Sequence, residues 1–572
     1  MAAPTNHEIA AAFQLLGDLL AIDGADRHRI LAYHRGAARV RATSESVAAL
    51  AAAGRAVELA DIGTTLQAKM VELVETGQIA ALQTLKGRLP AGLADIAHLE
   101  GIGPKRARAM YDTLGISSLD ALVAAATDGS LSTVAGIGPK LVAAVTGRAA
   151  AGTMTPEKPR MLASQARALA EELVEGLGTI PGTDRIVIAG SLRRGRETIG
   201  DIDLIASTTD PEPLLAAFAA LPAVASVVVH GALMCGVMTQ TGMRAELRTA
   251  SPEHFGNLLQ HATGSAAHNI RLREAAVKRG ASISEIAITE ADGSMVSFAA
   301  EEDFYRHLGL PVIPPELRED VGELSGPIPT LIEVADIRGD LHMHTDWSDG
   351  RATLAQMVAA AEARGYAYIA ITDHSQGLAM VGGLTPERVK RQWDAIDEAN
   401  AKTALTILKG VELEILADGR LDFDDELLAG FDVVVASIHS GFQQSPERIT
   451  ERLLAAIENP HVDIMGHPTG RRIGRRPPLE FDIDRVFERA AATGTLLEIN
   501  GQAERQDLSD QLARRALGMG CRLVVSSDAH VPEGLMAIER AVTIARRAGA
   551  EAKHIANVAT DWSQRPEAAG TA

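Results

Sequence analysis

Residues 339–350 read GDLHMHTDWSDG. His342 and His344 are two apart on a short extended run, so their imidazoles leave the same side of the backbone. Asp349 follows at a turn closed by Gly350. Two imidazoles and a nearby carboxylate form a donor set suited to a divalent metal ion.

The same kind of residue recurs downstream. Short β-branched runs end in His374 (YAYIAITDH, 366–374), His439 (FDVVVASIH, 431–439), His467 (VDIMGHP, 462–468), and Asp528 with His530 (RLVVSSDAH, 522–530). Another, LTILKGVELEI at 405–415, carries Glu412, and GTLLEIN at 494–500 brings Glu498 and Asn500, for which no ligation is inferred. Glu414, His461 and His554 also stay outside the candidate set. Helical patterns separate these runs, the signature of parallel βα units, and with the first run they make seven strands. In a parallel barrel the C-terminal strand ends gather at one mouth, so distant donors can converge. A lone histidine at a strand end is usually a hydrogen-bonded structural residue. Repetition from strand to strand removes that reading for the nine candidates as a set.

GDLHMHTDWSDG, ITDHS, GVELEIL, SIHS, GHPTGR and SSDAH together resemble the polymerase-and-histidinol-phosphatase (PHP) domain, in the form fused to bacterial family X DNA polymerases. The resemblance covers about residues 338–572. It implies a distorted seven-stranded barrel that hydrolyses phosphoesters with up to three Mn²⁺ or Zn²⁺ ions. Carried over by position, His342, His344, Glu412 and Asp528 would hold one ion. Glu412, His439 and His467 would hold a second, and Asp349, His374 and His530 a third. Arg471 in GHPTGRR is a candidate phosphate contact or an ordinary loop charge.

A chain of 572 residues is long enough for several domains. Its 46% hydrophobic and 23% charged residues are those of an ordinary globular protein. The two cysteines, Cys235 and Cys521, are too few and too far apart for a disulfide framework, so a cytoplasmic setting is expected. Glu8, Asp18, Asp23 and Asp26 interrupt the first apolar pattern, so no secretory leader is expected. The run VASVVVHGALMCGVM is too short for a membrane span and reads as strands. A net charge of −19 argues against nucleic acid at first sight, yet residues 1–150 are balanced, with 14 basic and 14 acidic side chains. Local basic loops can still hold a phosphate backbone. Aromatic residues, at 3%, are too sparse for a protein that coats single strands by base stacking.

Residues 6–80 read as short amphipathic helices, and Arg27, Arg29, Arg35, Arg39 and Arg41 give the second a basic face. LEGIGPKRARAM at 99–110 and VAGIGPKLVAAV at 134–145 are near-copies. In each, glycines allow a tight turn and proline suits the first helical turn, so free N–H groups face outward for a phosphate. DIGTTLQAK at 61–69 is a looser third copy. These resemble helix-hairpin-helix elements, which bind DNA backbones without reading sequence. On that resemblance Gly101, Gly103, Lys105, Gly136, Gly138 and Lys140 are DNA-binding candidates, with Arg106 beside them. Lys69 stands where family X enzymes that excise deoxyribose phosphate keep a Schiff-base lysine, against the plainer reading of a surface lysine. GTMTPEKPR, 152–160, reads as a linker.

RIVIAGSLRRGRETIGDIDLIAS, 185–207, reads as strand, turn, short helix and strand. Gly190 and Ser191 open a turn suited to a triphosphate, helped by Arg193 or Arg194. Asp201 and Asp203 are two apart on a strand, so both carboxylates reach one face and can share metal ions. This segment resembles the nucleotidyltransferase palm of family X DNA polymerases, and the likeness continues through 254–276 and 310–320. It implies nucleotide-binding roles for Gly190, Ser191, Arg194, Gly200, Gly264 and Ser265, with Mg²⁺ or Mn²⁺ at the carboxylates. The family has Asp where this chain has Glu246. The family's Tyr-Phe-Thr-Gly-Ser-Lys segment appears as His261, Ala262, Thr263, Gly264, Ser265 and Ala266. A lysine common after His230-Gly231 is absent, with Met234 nearby.

The expected fold is therefore multidomain, α plus α/β. A helical DNA-binding domain spans 1–90, a helix-hairpin-helix fingers region 91–152, and a nucleotidyltransferase palm and thumb 153–325. A linker at 326–337 leads to a distorted (β/α)7 PHP barrel at 338–572. The expected function is DNA repair: 3′-to-5′ exonucleolytic hydrolysis in the barrel and gap filling in the palm, weakened by the altered residues. The expected partners are gapped or damaged duplex DNA with its 3′ ends and deoxynucleoside triphosphates; the chain is expected to be monomeric, with no membrane partner. A small-molecule phosphatase of the histidinol-phosphate type and a non-catalytic DNA-end scaffold are the alternatives.

Overall fold

In the computed structural model, residues 3–99, 101–150 and 160–562 are described; the 152–160 linker reading lies outside them apart from Arg160. Helix α1 (Asn6–Ile22) begins at a capping box, in which Thr5 accepts from the Glu8 N–H and Glu8 accepts from the Thr5 N–H. Ile9, Phe13, Leu16 and Leu20 recur at helical spacing and are all buried. Helix α2 (Arg27–Ala42) packs beside α1 and carries the arginine face. The looser copy leads into α3 (Thr64–Thr76), and the two near-copies lead into α4 (Gly103–Leu114) and α5 (Pro139–Ala150). Gly101, Gly103 and Gly136 have φ of 81°, 65° and 82°, a region closed to most side chains. A Cβ on Gly101 would lie 3.2 Å from Leu141, so the two hairpins pack on each other. One continuous core runs from Ile9 to Val145, so the division expected at 90/91 is no break in packing.

The palm is a five-stranded sheet of β1 (Thr183–Ile188), β2 (Asp201–Thr208), β3 (Val224–His230), β4 (Met234–Thr239) and β5 (Arg244–Ala250), in the order β1-β2-β5-β4-β3. β2 and β5 are parallel neighbours, and their register sets Asp203 beside Glu246. Helix α6 (Phe255–Thr263) packs Phe255 and Leu258 against Ile205 of the palm sheet, whereas the thumb has its own core, which contains Leu272 of α7 (Ala266–Val277), Phe304, Tyr305 and Leu331. Residues 326–337 are packed rather than free: Ile328 and Leu331 join the thumb core while Ile332 and Ile337 join that of the next domain.

That domain is a seven-stranded parallel sheet in chain order: β6 (Gly339–Asp340), β7 (Tyr368–Ile371), β8 (Thr406–Glu414), β9 (Val433–Ser437), β10 (Ile464–Met465), β11 (Leu496–Asn500) and β12 (Leu523–Ser526). Its two edges meet where Met343 bridges Ala529 in parallel fashion, with Asp528 N donating to His342 O (2.9 Å) and His344 N to Ala529 O (2.8 Å). The bridge closes the ring at the mouth, where His342, His344 and Asp528 stand. The last long helix, α8 (Ala537–Ala548), covers β11 and β12 and turns its other side to the thumb. Among the described residues no helix is long and apolar enough to cross a membrane.

Candidate metal centre and nucleotidyl-transfer site

Glu412, at the end of β8 and fully buried, is the hub of the barrel mouth. Its Oε1 lies 2.8 Å from His467 Nε2 and 3.1 Å from His439 Nε2, and its Oε2 lies 3.0 Å from His374 Nδ1, 3.4 Å from His342 Nε2 and 3.5 Å from His344 Nε2. Among the described residues, donor atoms within 4.8 Å of one another form three overlapping groups: His342, His344 and Asp528; His374, Glu412 and His439; and His344, Asp349, His374 and His530. All nine candidates thus meet at one rim. The grouping places His374 with Glu412 and His439 as well as with Asp349, and His467 enters through its contact with Glu412. Asp349 and His530 are the outermost members, about 30% exposed.

The donor chemistry fits divalent cations. His342 Nε2, both nitrogens of His344, His374 Nδ1 and His439 Nε2 are buried without a hydrogen-bond partner, an arrangement that is costly unless something else engages them. Burial pulls His344 down to about 3, aided by the charge of His374, and His467 down to about 4, aided by Arg505. Burial disfavours the cation at His342 too, but Glu498, Glu412 and Asp528 outweigh it and raise its pKa; at His374, Glu412 and Asp349 carry it to about 10. Burial opposes ionisation of Glu412 and Asp528, yet the imidazoles around them hold both well below the usual carboxylate range. Ligation requires imidazole lone pairs, so cations would displace the protons on His342 and His374.

Residues set aside on the sequence orient this site. Glu498 accepts from His342 Nδ1 (2.7 Å) and from His467 N (2.5 Å), and Glu414 accepts from His439 Nδ1 (2.9 Å) and Ser440 Oγ (2.6 Å). Asn500 donates to Asp528 (2.9 Å). Each fixes a ring or carboxylate so that its free atom faces the cleft. The period-two alternation of β8 and β11 carried this signal, since 412 and 414, like 498 and 500, share a face. Around the site is a cleft of about 750 Å³ lined also by Arg351, Arg472, Arg505 and Arg540. Arg471 points away: its guanidinium donates to Glu197 of the palm (2.7 Å) and to the carbonyls of Arg505 and Gln506. It ties domains together, and its neighbour Arg472 faces the cleft instead.

In the palm, Gly190, Ser191, Arg194, Asp201, Asp203 and Gly264 line one pocket of about 440 Å³, joined by His261, Ala266, Asn269 and Arg273. A Cβ on Gly190 would stand 1.9 Å from Asp203 Oδ2, and its φ is 61°, so only glycine admits the carboxylate so close to the turn. Burial, then the charges of Asp201 and Glu246, push Asp203 up to about 6, the behaviour of carboxylates gathered to share a cation. Arg193 is committed elsewhere, to Glu301 (2.8 Å) and Thr263 (2.6 Å), whereas Arg194 reaches the pocket and donates to Thr263 O (2.5 Å). Gly200 and Ser265 do not line the pocket; Ser265 caps α7 by accepting from His268 N (3.2 Å). The Glu246 carboxylate is bound by Arg248 (2.5 Å) and Arg244 (3.3 Å) on its own strand face. Lys69 is ion-paired with Glu72 at 2.6 Å. Lys105 and Lys140 are exposed beside their glycine turns. Asn269 and Arg273 fall inside the 254–276 stretch of resemblance but are not among its candidate residues.

Family models match along the chain: a helix-hairpin-helix domain at 4–79, a SAM-like helix-hairpin-helix tandem at 93–148, a DNA polymerase beta thumb at 258–319 and a PHP domain at 340–502. The chain is 37% identical over 557 residues to the DNA polymerase/3′-5′ exonuclease PolX of Bacillus subtilis, covering 96% of this chain and 97% of that protein. This chain belongs to the bacterial family X DNA polymerases that carry a PHP domain. Its barrel alone is also similar to probable phosphatases. One, from Caldanaerobacter subterraneus, is 35% identical over 214 residues, which is 34% of this chain and 76% of that protein; another, from Thermoanaerobacter sp. strain X514, is 31% identical over 230 residues, 37% and 86%. In this family X chain the matched PHP segment stops at 502, while β12 and the ligand candidates Asp528 and His530 complete the ring beyond it.

Proposed function

We propose that this family X protein repairs DNA with two active sites on one chain: a PHP centre that removes nucleotides from 3′ ends, and a palm that adds them to gapped or damaged duplex. The observation that carries the hydrolytic half is the gathering of five histidines on Glu412, with Asp349, Asp528 and His530 beside them, inside an arginine-lined cleft. Mn²⁺ or Zn²⁺, up to three ions, suits these imidazole and carboxylate donors, and such ions supply an activated water and charge neutralisation on phosphoryl oxygens. The chain's own part is to hold the donors by Glu498, Glu414 and Asn500 and to draw a polyanionic strand in through Arg351, Arg472, Arg505 and Arg540.

The palm reading rests on Asp201 and Asp203 as ligands for Mg²⁺ or Mn²⁺ and on Gly190, Ser191 and Arg194 as the triphosphate cradle. Helix-hairpin-helix turns with Lys105 and Lys140 hold the DNA backbone. Polymerisation is weak relative to hydrolysis, because Glu246 is longer than the family's aspartate and is drawn onto two arginines, and because His261, Ala262 and Ala266 replace an aromatic pair and a lysine. Lys69, neutralised by Glu72, is a structural ion pair rather than a lyase nucleophile. The buried free thiols Cys235 and Cys521 suit the cytoplasm.

The test is a 3′-resection and primer-extension assay on gapped duplex with Mn²⁺ and with Mg²⁺, comparing the unaltered protein with Glu412→Gln and Asp201→Asn. Glu412→Gln is expected to abolish resection alone and Asp201→Asn extension alone. Resection that survives Glu412→Gln overturns the assignment. Activity confined to a small phosphomonoester would favour the phosphatase reading suggested by the barrel's other relatives.

A further inference from the structure

Arg547 lies on α8 of the barrel, 353 residues beyond Arg194 of the palm pocket, yet it is wired to it. Its side chain is 3% exposed. NH1 donates to the main-chain carbonyl of Arg194 (2.5 Å) and to Glu319 Oε1 (3.2 Å), and NH2 donates to Asp510 Oδ2 (2.6 Å). The same Glu319 oxygen accepts from Arg194 Nε at 3.1 Å. Arg194, which lines the nucleotide pocket, is therefore held at its carbonyl by the barrel and at its side chain by a glutamate that the barrel also holds. Thr263 O accepts from its NH1 and fixes a third point.

The surroundings leave this junction little slack. A Cβ on Gly195 would meet Thr543 Cγ2 of α8 at 2.4 Å, so palm backbone and barrel helix are in direct contact. Arg546, the preceding residue, donates to Glu316 of the thumb (2.7 Å) and to Ile332 O (2.9 Å), and Arg471 binds Glu197, four residues before Asp201. Glu319 is half-buried and shared by two guanidiniums, so removing one leaves the carboxylate free to rotate with the other. A guanidinium that must meet a triphosphate loses much of its value if its direction is not set beforehand.

We propose that Arg547, acting through Glu319, is a positioning residue for nucleotidyl transfer: the C-terminal barrel sets the direction of the Arg194 guanidinium in the nucleotide pocket. This rests on the palm reading above. The experiment uses the full-length chain with Arg547→Ala, Arg547→Lys, Glu319→Gln and the double variant Arg547→Ala/Glu319→Gln. It measures calorimetric binding of Mg²⁺·dATP, KM and kcat for primer extension, 3′ resection, and the thermal midpoint. Arg547→Ala is expected to weaken dATP binding and raise KM about tenfold, with kcat within about twofold. Resection is expected to stay unchanged. Arg547→Lys should fall between, since an ammonium keeps the charge on Glu319 but cannot span three acceptors. In the Glu319→Gln background Arg547→Ala should cost less than it does alone, the remainder being its direct bond to the Arg194 carbonyl.

Unchanged dATP binding in a folded Arg547→Ala protein overturns the proposal, and so does a parallel fall of both activities with the thermal midpoint. The palm reading fails by a different result: an unaltered protein that neither binds dATP nor extends primers. Binding without extension leaves the positioning role measurable by calorimetry alone.

Discussion

Glu498 and His342, 156 residues apart in the chain, are joined by a 2.7 Å hydrogen bond from the imidazole Nδ1 to the carboxylate, with both side chains fully buried. The bond points Nε2 at Glu412 and Asp528, so Glu498 supports the candidate metal site from behind. Glu498→Ala is expected to lower Mn²⁺ affinity roughly 10- to 100-fold while leaving the barrel folded. Calorimetric titration with Mn²⁺ checks this, and an unchanged affinity would show that His342 needs no support.

Metal binding and pH are linked through His374. Its folded pKa of about 10 exceeds the ordinary value of 6.5, so its contribution to stability is complete below about 6.5 and is lost as pH rises through about 10. A bound cation needs that proton gone, so metal affinity should rise with pH across the same interval. Mn²⁺ should raise the thermal midpoint more at pH 8.5 than at pH 6.5, and binding at pH 7 should release protons into a weak buffer. Equal shifts at the two pH values would count against the linkage.

Gly190→Ala should separate the two activities. The new methyl would need the space of the Asp203 carboxylate, at 1.9 Å, and would sit at a φ of 61°. Extension is expected to fall at least 100-fold while resection holds, as measured on one gapped duplex. Retained extension would mean that the turn relaxes without moving the acid.

Asp203 offers a stability measurement free of catalysis. Its folded pKa of about 6 lies above the ordinary aspartate value, so its contribution is complete below about 3.9 and is lost as pH rises through 6. At pH 7.5 without metal, the ionised group therefore costs on the order of 3 kcal/mol. Asp203→Asn should raise the midpoint of the metal-free palm by a few degrees at pH 7.5, with no gain at pH 4, while abolishing extension. A loss of stability at pH 7.5 would refute the crowding of acids.

If Glu246 limits polymerisation, shortening it should help. Glu246→Asp withdraws the carboxylate from Arg248 and Arg244, and extension is expected to rise about tenfold or more with resection constant. An unchanged rate would move the cause to the His261–Ala266 wall.

The barrel was legible because its strands are short, β-branched and punctuated by metal-binding residues, and because period-two alternation gives each side chain a face. The hairpins were legible from repeated glycines whose positive φ no other residue accepts easily. The supporting residues were harder to see. Glu414 and Glu498 look like extra acids in a strand, and Arg273 and Glu319 carry no local pattern, because their partners come from other elements.

By itself the sequence indicated the strand order, a set of nine candidate donors and the paired palm aspartates, through local spacing, backbone preference and the family resemblance. Tertiary structure alone decided that Glu412 is the shared hub, that Arg471 faces the palm rather than the metals, that residues 1–150 have one core, and that Glu319 stands between two arginines from different domains. Those outcomes depend on which surfaces pack together, and a hydrogen bond between residues hundreds of positions apart leaves no periodicity in the chain.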